Sequence, residues 1–206
     1  MSDIDENKQI KKAAAGNEEA FEALVLAYQT PVYNLCLRMT GNPDDAADVA
    51  QEAFLKAWRN LSSFQFESAF STWLYRLTSN ACLDFLRSKK RRAAVSLTAD
   101  DDEAQMLDVP DPAPTPENLL LAQENSRAVA EAVSALEPEH RQVITLRVIQ
   151  ELSYAEIAEI LGVKEGTVKS RLARAREHLR KKLLQTGNKE KTTSSNKQKG
   201  GRGNAL

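Results

Sequence analysis

Residues 152–180, LSYAEIAEILGVKEGTVKSRLARAREHLR, predict two short amphipathic helices joined by a tight turn. Ser153 followed by Glu156 is a capping box, in which the hydroxyl and the carboxylate satisfy free N–H groups at a helix start. Gly162 supplies the turn, because glycine readily adopts the left-handed backbone that ends helices. The second helix begins near Glu165. Its apolar side chains recur at helical spacing on one face: Val168, Leu172, Ala175 and Leu179. This is the plan of a helix-turn-helix, whose second helix enters the major groove of DNA.

The charge around this motif favours a nucleic-acid partner. Residues 164–202 contain thirteen Lys or Arg and three Glu, whereas the whole chain has a net charge of −1. An ordinary exposed helix mixes charges of both signs through pairs four residues apart. The alternative interpretation is a plain helical hairpin with a solvated basic face, and the local excess of positive charge argues against it.

The composition divides the chain into two helical domains. Residues 93–126 contain eight Asp or Glu, no Lys or Arg, and prolines at 110, 112, 114 and 116. Prolines at alternate positions exclude a continuous helix and favour an extended linker. The acidic run at 100–103 is either solvated or shields a basic surface of the same chain. We therefore predict an all-α fold with two small helical domains. Its parts are a first domain at 1–92, an acidic Pro-rich linker at 93–117, a helix-turn-helix domain at 118–184 and a disordered basic tail at 185–206.

The sequence lacks the features of several other protein classes. No apolar run reaches the length of a membrane span and the N-terminus has no signal-peptide core, so we expect a cytoplasmic protein. Cys36 and Cys82 lie in apolar helical patterns and are interpreted as reduced core residues. His140 and His178 are far apart in the sequence and lack companion ligands, so neither a metal nor another cofactor is expected. The sequence contains no glycine-rich phosphate loop and no nucleophile–base pair. We therefore expect that the protein is not an enzyme and has no small-molecule substrate.

Gly41-Asn42-Pro43 predicts a break in the chain, and a new helix follows at 44–60. This helix is predicted to carry an acidic stripe, in which Asp45, Asp48 and Glu52 share one side. The residues that face inward from this helix are Val49, Ala53 and Ala57. Carboxylates in a first helical turn suit the helix dipole, which is one interpretation of this stripe. Glu52 lies beyond the first turn, so the second interpretation is a surface that docks a protein partner.

Aromatic residues are concentrated directly after this helix. Residues 54–85 hold eight of the twelve aromatics of the chain, and two of them lie in the loop-like segment LSSFQFES at 61–68. An aromatic loop that also carries Ser and Gln can hold unstacked bases by stacking and by hydrogen bonds. The alternative is that these aromatics fold the loop back onto the core, and the residues alone leave both possibilities open.

A predicted helix at about 69–90 continues this basic and aromatic region. We expect its face opposite the core to display Thr72, Arg76, Ser79, Asn80 and Arg87. Its end, at 87–92, places five cations in six residues. The helix dipole favours some of them, but the number favours contact with a phosphate backbone.

Three segments together resemble bacterial sigma factors of the extracytoplasmic-function (ECF) type, in the sigma-70 family. DDAADVAQEAFLKAW at 44–58 resembles the segment that docks on the clamp helices of the largest subunit of RNA polymerase. FESAFSTWLYRLTSNACLDFLRSKKRR at 66–92 resembles the loop and helix that melt and read the −10 element. LEPEHRQVITLRVIQELSYAEIAEILGVKEGTVKSRLARARE at 136–177 resembles the module that reads the −35 element. The resemblance covers about residues 17–184.

The resemblance implies roles for individual residues. It implies that the polymerase is contacted by Asp45, Asp48, Gln51 and Glu52. The residues that it implies contact the −10 element are Phe64, Gln65, Phe66, Ser68, Thr72, Trp73, Arg76, Asn80 and Arg87. For Trp73, a role in the core is an equally open interpretation. The residues that it implies contact the −35 element are Arg147, Ser153, Thr167, Lys169, Ser170, Arg171, Ala173, Arg174 and Arg176. Among these, the helical wheel makes Lys169, Ser170, Ala173 and Arg174 the candidates for base edges.

The implied partners are core RNA polymerase, promoter DNA and an anti-sigma factor, which in this class is often membrane-bound. The alternative function is a stand-alone helix-turn-helix regulator that does not bind the polymerase. Such a regulator has no need of the acidic stripe, aromatic loop and cationic helix at 44–92.

Overall fold

In the computed structural model the backbone is described for residues 3–95 and 128–197, and every regular element in these two ranges is helical. The first range contains α1 (Asp3–Ala14), α2 (Glu18–Thr40), α3 (Pro43–Asn60), a 3₁₀ turn (Leu61–Ser63) and α4 (Phe70–Val95). The second contains a helical segment at 128–134, then α5 (Pro138–Val148), α6 (Tyr154–Leu161) and α7 (Glu165–Lys197). The predicted all-α fold is confirmed.

Helix ends in the first range follow signals in the sequence. The Asn17 side chain accepts a hydrogen bond from the Ala20 N–H at 2.7 Å and begins α2. Gly41 ends that helix with a left-handed φ of 74°, and the Asn42 side chain caps α3 through the Asp45 N–H at 3.0 Å. The break expected at residues 41–43 thus separates two antiparallel helices, which α4 then covers.

The core of this bundle is formed by apolar side chains of α2, α3 and α4. Leu35, Met39, Ala53 and Leu74 are fully buried in it. Cys36 of α2 and Cys82 of α4 are also buried and free, with their sulfur atoms 3.8 Å apart. This confirms that both cysteines belong to the core.

The helix-turn-helix forms as the sequence predicts. Ser153 and Glu156 make both hydrogen bonds of the capping box, and Gly162 ends α6 with a φ of 63°. Val168, Leu172 and Ala175 of α7 are buried. Their burial against α5 and α6 orients the opposite side of α7 toward solvent.

Two helices extend further than expected. α4 reaches Val95, and α7 reaches Lys197, although disorder is predicted from residue 185. Residues 185–197 contain no proline and a single glycine, so the sequence holds no strong signal that ends a helix there. The expectations for the linker at 96–117 lie outside the described residues.

Candidate nucleic-acid interface

The exposed side of α7 carries most of the residues that were predicted to read bases. Lys169, Ser170, Ala173 and Arg174 are all exposed, as is Arg176. The Ser170 hydroxyl donates to the Thr167 carbonyl at 2.9 Å, which leaves its oxygen free to accept. Because the apolar face of α7 is buried, these side chains form one outward surface on a helix, and a major groove admits an α-helix.

Two side chains on this surface are held by neighbours that the sequence analysis did not identify. The Lys169 ammonium lies 3.8 Å from a Glu165 carboxylate oxygen and 5.7 Å from the centre of the Tyr154 ring. Arg171 pairs with Glu139 of α5 at 2.9 Å, and only 25% of its side chain is exposed. Arg171 therefore fixes α7 to α5. Thr167, in the first turn of the same helix, is half-buried.

Arg147 and Ser153 lie at the turn that precedes the helix-turn-helix. The Arg147 guanidinium donates to the Leu152 carbonyl at 3.0 Å and lies 5.5 Å from the centre of the Tyr154 ring. Ser153 is exposed, but its hydroxyl and its N–H both serve the capping box. These bonds lower the pKa of the Glu156 carboxyl, first through the Ser153 hydroxyl and then through its backbone. Both residues thus position the motif whether or not they also contact phosphate.

His140 and His178 are far apart in the sequence but meet in the fold. The rings of His140 on α5 and His178 on α7 meet edge to face with their centres 5.3 Å apart. Burial lowers the pKa of His140, and the positive charges of His178 and Arg174 lower it further. The two residues meet because α5 packs along α7, a contact that sequence distance does not reveal. In the part of the chain that the structure describes, no three His, Cys, Asp or Glu side chains group as metal ligands do.

The two phenylalanines of the aromatic loop differ in burial. Phe64 is 9% exposed and packs against Phe70 and Trp73, with ring centres 5.8 and 5.3 Å away. Phe66 is 42% exposed and has a φ of 58°, a strained value for a residue other than glycine. Gln65 is exposed and Ser68 is half-buried. The loop is thus anchored by Phe64 and presents Phe66.

A cation that was not predicted from the sequence lies beside this loop. The Lys11 ammonium of α1 lies 5.6 Å from the centre of the Phe66 ring. Nothing in the spacing of residues near position 11 signals this contact, because it depends on how α1 packs against the turn after α3. A cation above an exposed ring adds positive charge where a nucleic-acid strand is expected.

On α4, part of the expected outward face is buried. Thr72 is 3% exposed and Ser79 is 0% exposed, so the expectation that both face solvent was wrong. Arg76 and Trp73 are half-buried, whereas Asn80 and Arg87 are exposed. Thr72 and Ser79 are covered by packing between distant parts of the chain, which a helical wheel does not include.

The acidic stripe on α3 is open except at one end. Asp48, Gln51 and Glu52 are exposed. Glu52 lies 3.4 Å from Lys56, and Asp45 pairs with Lys89 of α4 at 2.9 Å, with 25% of the Asp45 side chain exposed. Asp48 and Glu52 also line a shallow groove between α3 and α4. Asp48, Gln51 and Glu52 thus remain accessible to a basic or polar partner.

The chain matches known families over both helical units. Residues 24–92 match the family described as Sigma-70 region 2, and residues 126–179 match Sigma-70, region 4. The chain is 39% identical over 178 residues to the ECF RNA polymerase sigma factor SigW of Bacillus subtilis, covering 85% of this chain and 95% of that protein. It is 39% identical over 177 residues to the ECF RNA polymerase sigma-E factor of Escherichia coli K12, covering 84% and 92%.

Solved structures share the arrangement of helices. CnrH in complex with the cytosolic domain of CnrY is 28% identical, with a TM-score of 0.61 over 88% of this chain and 98% of that chain. RpoE of Bartonella quintana in complex with the anti-sigma factor NepR has a TM-score of 0.65 over 80% and 96%, at 24% identity, and so supports the fold alone. In the described ranges 3–95 and 128–197, no helix is long and apolar enough to cross a membrane.

Proposed function

Since this chain belongs to the ECF sigma factors of the sigma-70 family, we propose that it selects promoters through the two surfaces described above. As a sigma factor it binds core RNA polymerase and directs transcription initiation at promoters. Its relatives are sigma factors, which are not enzymes, and we assign the chemistry of RNA synthesis to the polymerase. Acting with the polymerase on promoter DNA places the protein in the cytoplasm.

The observation that carries this proposal is the combination of surfaces in one chain. A stand-alone regulator requires only the exposed basic side of α7. Here α3 also carries the exposed Asp48, Gln51 and Glu52, and the next loop presents Phe66 beside Lys11. We propose residues 1–92 as the domain for polymerase docking and the −10 element, residues 93–117 as a linker, and residues 118–184 as the −35 domain.

We propose that the −35 element is read by the exposed side of α7. Arg174 carries five hydrogen-bond donors and has no ion-pair partner among the described side chains, so it is our first candidate for contact with a guanine. Lys169, Ser170 and Ala173 share the same side. Arg171 and Arg147 already make contacts that position the motif, and Arg176 is suited to phosphate.

We propose that the −10 element is held by the loop at 64–68 and by the outer side of α4. Phe66 is the stacking surface for an unpaired base, with Gln65 and Ser68 beside it, and Phe64 supports it from below. Arg76, Asn80 and Arg87 then follow the strand. Thr72 is buried, so its contact with DNA requires that whatever covers it move away.

An anti-sigma factor is the third proposed partner. Two solved relatives are described as complexes with the cytosolic domain of CnrY and with NepR. For this chain we propose that such a protein covers the acidic stripe of α3 or the exposed side of α7, because both are needed for initiation.

Run-off transcription with purified core polymerase, the full chain and a library of upstream regions tests the proposal. Initiation that depends on the added chain, with two shared elements upstream of the start sites, supports it. Specific duplex binding without initiation would instead support the stand-alone regulator and sink the assignment of α3 and the aromatic loop. Arg180→Ala serves as the control variant, because Arg180 is exposed and pairs with Glu177 at 3.3 Å outside the proposed surface.

A further inference from the structure

Helix α1 lies before the segment that matches Sigma-70 region 2, which begins at residue 24. The Ile10 and Ala13 side chains of α1 are buried in the same core as the side chains of α2. The helix also contacts the 3₁₀ turn that leads into the aromatic loop. α1 is therefore packed beside the loop at 64–68, although it lies outside the matched segment.

Further contacts connect α1 to the rings that support this loop. The Tyr28 hydroxyl of α2 donates to the Glu6 carboxylate of α1. The Tyr28 ring lies 5.4 Å from the ring of Phe70, and Phe70 packs on Phe64 with ring centres 5.8 Å apart. Because these contacts join α1 to the support of the loop, they fix the position of the helix relative to the loop.

Phe66, the exposed ring of the loop, has an uncommon backbone conformation with a φ of 58°. A positive φ is unfavourable for a bulky residue and persists where the surrounding contacts over-determine it. Two such contacts are present here. The Phe64 ring centre lies 4.8 Å from that of Phe66, and the Lys11 ammonium lies 5.6 Å from the Phe66 ring centre. α1 thus helps to fix the orientation in which the ring meets solvent.

The aromatic loop has no positive charge of its own. Residues 61–70 contain the carboxylate of Glu67 and no Lys or Arg, and the nearest cations in the sequence are Arg59 and Arg76. Proteins that bind single strands combine stacking rings with cations that follow the backbone, because each nucleotide brings one phosphate charge. Lys11 is exposed, and no carboxylate among the described residues pairs with it. Lys11 therefore supplies the positive charge that the loop lacks.

We propose that Lys11 is a DNA-binding residue, whose ammonium pairs with the backbone phosphate of the nucleotide that stacks on Phe66. The occupant of this surface is the single strand of the melted −10 element. The flexible four-carbon stem of lysine allows the ammonium to move from the ring to a phosphate when the strand enters. The inference rests on the proposed role of the aromatic loop at the −10 element.

Binding of single-stranded DNA to the full chain tests this contact without polymerase or a known promoter. A fluorescein-labelled oligonucleotide of mixed sequence is titrated with the chain at several salt concentrations, and fluorescence anisotropy gives the Kd. We expect Lys11→Ala to weaken binding several-fold at low salt. It should also reduce the slope of log affinity against log salt by about 0.7, the value for one phosphate contact on a single strand.

Lys12→Ala is the matched control for the loss of charge. Lys12 is an exposed lysine of the same helix and lies roughly 100° around it from Lys11. We expect Lys12→Ala to leave the Kd and the salt slope close to those of the unmodified chain. Lys11→Arg keeps the positive charge and should restore the salt slope that Lys11→Ala reduces.

Phe66→Ala shows whether Lys11 acts on the nucleotide that stacks on the ring. If lysine and ring bind the same nucleotide, Lys11→Ala weakens binding less in a chain that already carries Phe66→Ala. If Lys11 only attracts the strand in general, its effect is the same with and without the ring, and the proposed pairing is wrong. Thermal unfolding of each variant shows whether its fold is retained.

The same variants are then compared in open-complex formation by the holoenzyme on an upstream region recovered in the run-off assay. We expect a several-fold lower rate for Lys11→Ala and an unchanged rate for Lys12→Ala. Equal Kd values and salt slopes for these two variants would overturn the proposal. So would a lower affinity of Lys11→Ala with an unchanged salt slope and a lower Tm, because Lys11 would then only support the loop.

The two assays separate the contact from the proposed function. The single-strand assay needs no initiation. A chain that shows the expected dependence on Lys11 and Phe66 but does not initiate with core polymerase therefore counts against the proposed function and not against the contact.

Discussion

Arg174 is the exposed cation of α7 that we expect to read a base. Arg174→Ala removes up to two hydrogen bonds to a guanine, which are worth about 1–3 kcal/mol of discrimination, or roughly 5- to 150-fold. Run-off assays at limiting protein should show this loss on the native −35 element and a smaller loss when one base of that element is changed. An equal loss for every base sequence would assign Arg174 to phosphate instead, and Arg180→Ala shows the effect of charge alone.

Glu156 makes the stability of the helix-turn-helix depend on pH. Its carboxylate accepts a hydrogen bond from the Ser153 N–H at 2.8 Å, and its pKa is lowered in the folded chain. The stabilisation is therefore complete above the unfolded pKa and is lost as the pH falls through the lower folded pKa. Glu156→Gln should reduce the free energy of unfolding more at neutral pH than at about pH 3.5, as measured by urea unfolding.

The control for this variant is Glu159→Gln, which changes an exposed carboxylate on the same helix. It should lower the free energy of unfolding by a similar, small amount at both pH values. If Glu156→Gln changed the free energy of unfolding equally at both pH values, the glutamine amide would replace the carboxylate in the cap. The charge of the Glu156 carboxylate would then contribute nothing to stability.

At the scale of single elements, α3 offers a surface for a protein partner. Glu52→Arg reverses the charge of an exposed residue on the acidic stripe, whereas Glu22→Arg makes the same change on α2, outside the stripe. Like charges across an interface are costly, so we expect Glu52→Arg to weaken binding to core polymerase by about tenfold or more. Fluorescence anisotropy of the labelled full chain with core polymerase measures this. Equal affinities of the two variants would contradict docking through the stripe.

Elements with strong local signals were predicted well from the sequence. The capping box of α6, the left-handed Gly162 and the break at Gly41 depend on residues a few positions apart, and the structure has all three. The exposed side of α7 was also predicted, because burial of Val168 and Leu172 fixes the opposite side by helical geometry.

Features that depend on packing between distant elements were not predicted. The contact of His140 with His178, the ion pair of Arg171 with Glu139 and the cation of Lys11 above Phe66 each join helices that are far apart in sequence. Thr72 is polar and lies opposite the first core, so a single-helix argument leaves it exposed. Burial of Thr72 requires a second layer that only the folded chain reveals.

At the scale of the whole molecule, we expect initiation to require both promoter elements. Separating base steps costs a few kcal/mol each, and the small first domain has few exposed strand contacts to offset that cost, since Phe64 and Thr72 are buried. Open-complex assays on promoters altered in either element alone should show nearly complete loss of activity. Near-full activity of either altered promoter would contradict this requirement.

The adjacent sulfur atoms of Cys36 and Cys82 provide an internal measure of how often the first bundle opens. The hydrogen bond between the two thiols and their burial raise the pKa of Cys82, and only the ionised thiolate attacks an alkylating reagent readily. The unmodified chain should therefore consume an alkylating reagent only during excursions that expose its interior. Under conditions where closing is fast, the labelling rate is proportional to the fraction of molecules that are open at any moment. Each polymerase or DNA complex can then be ranked by how strongly it suppresses that fraction, without any engineered cysteine.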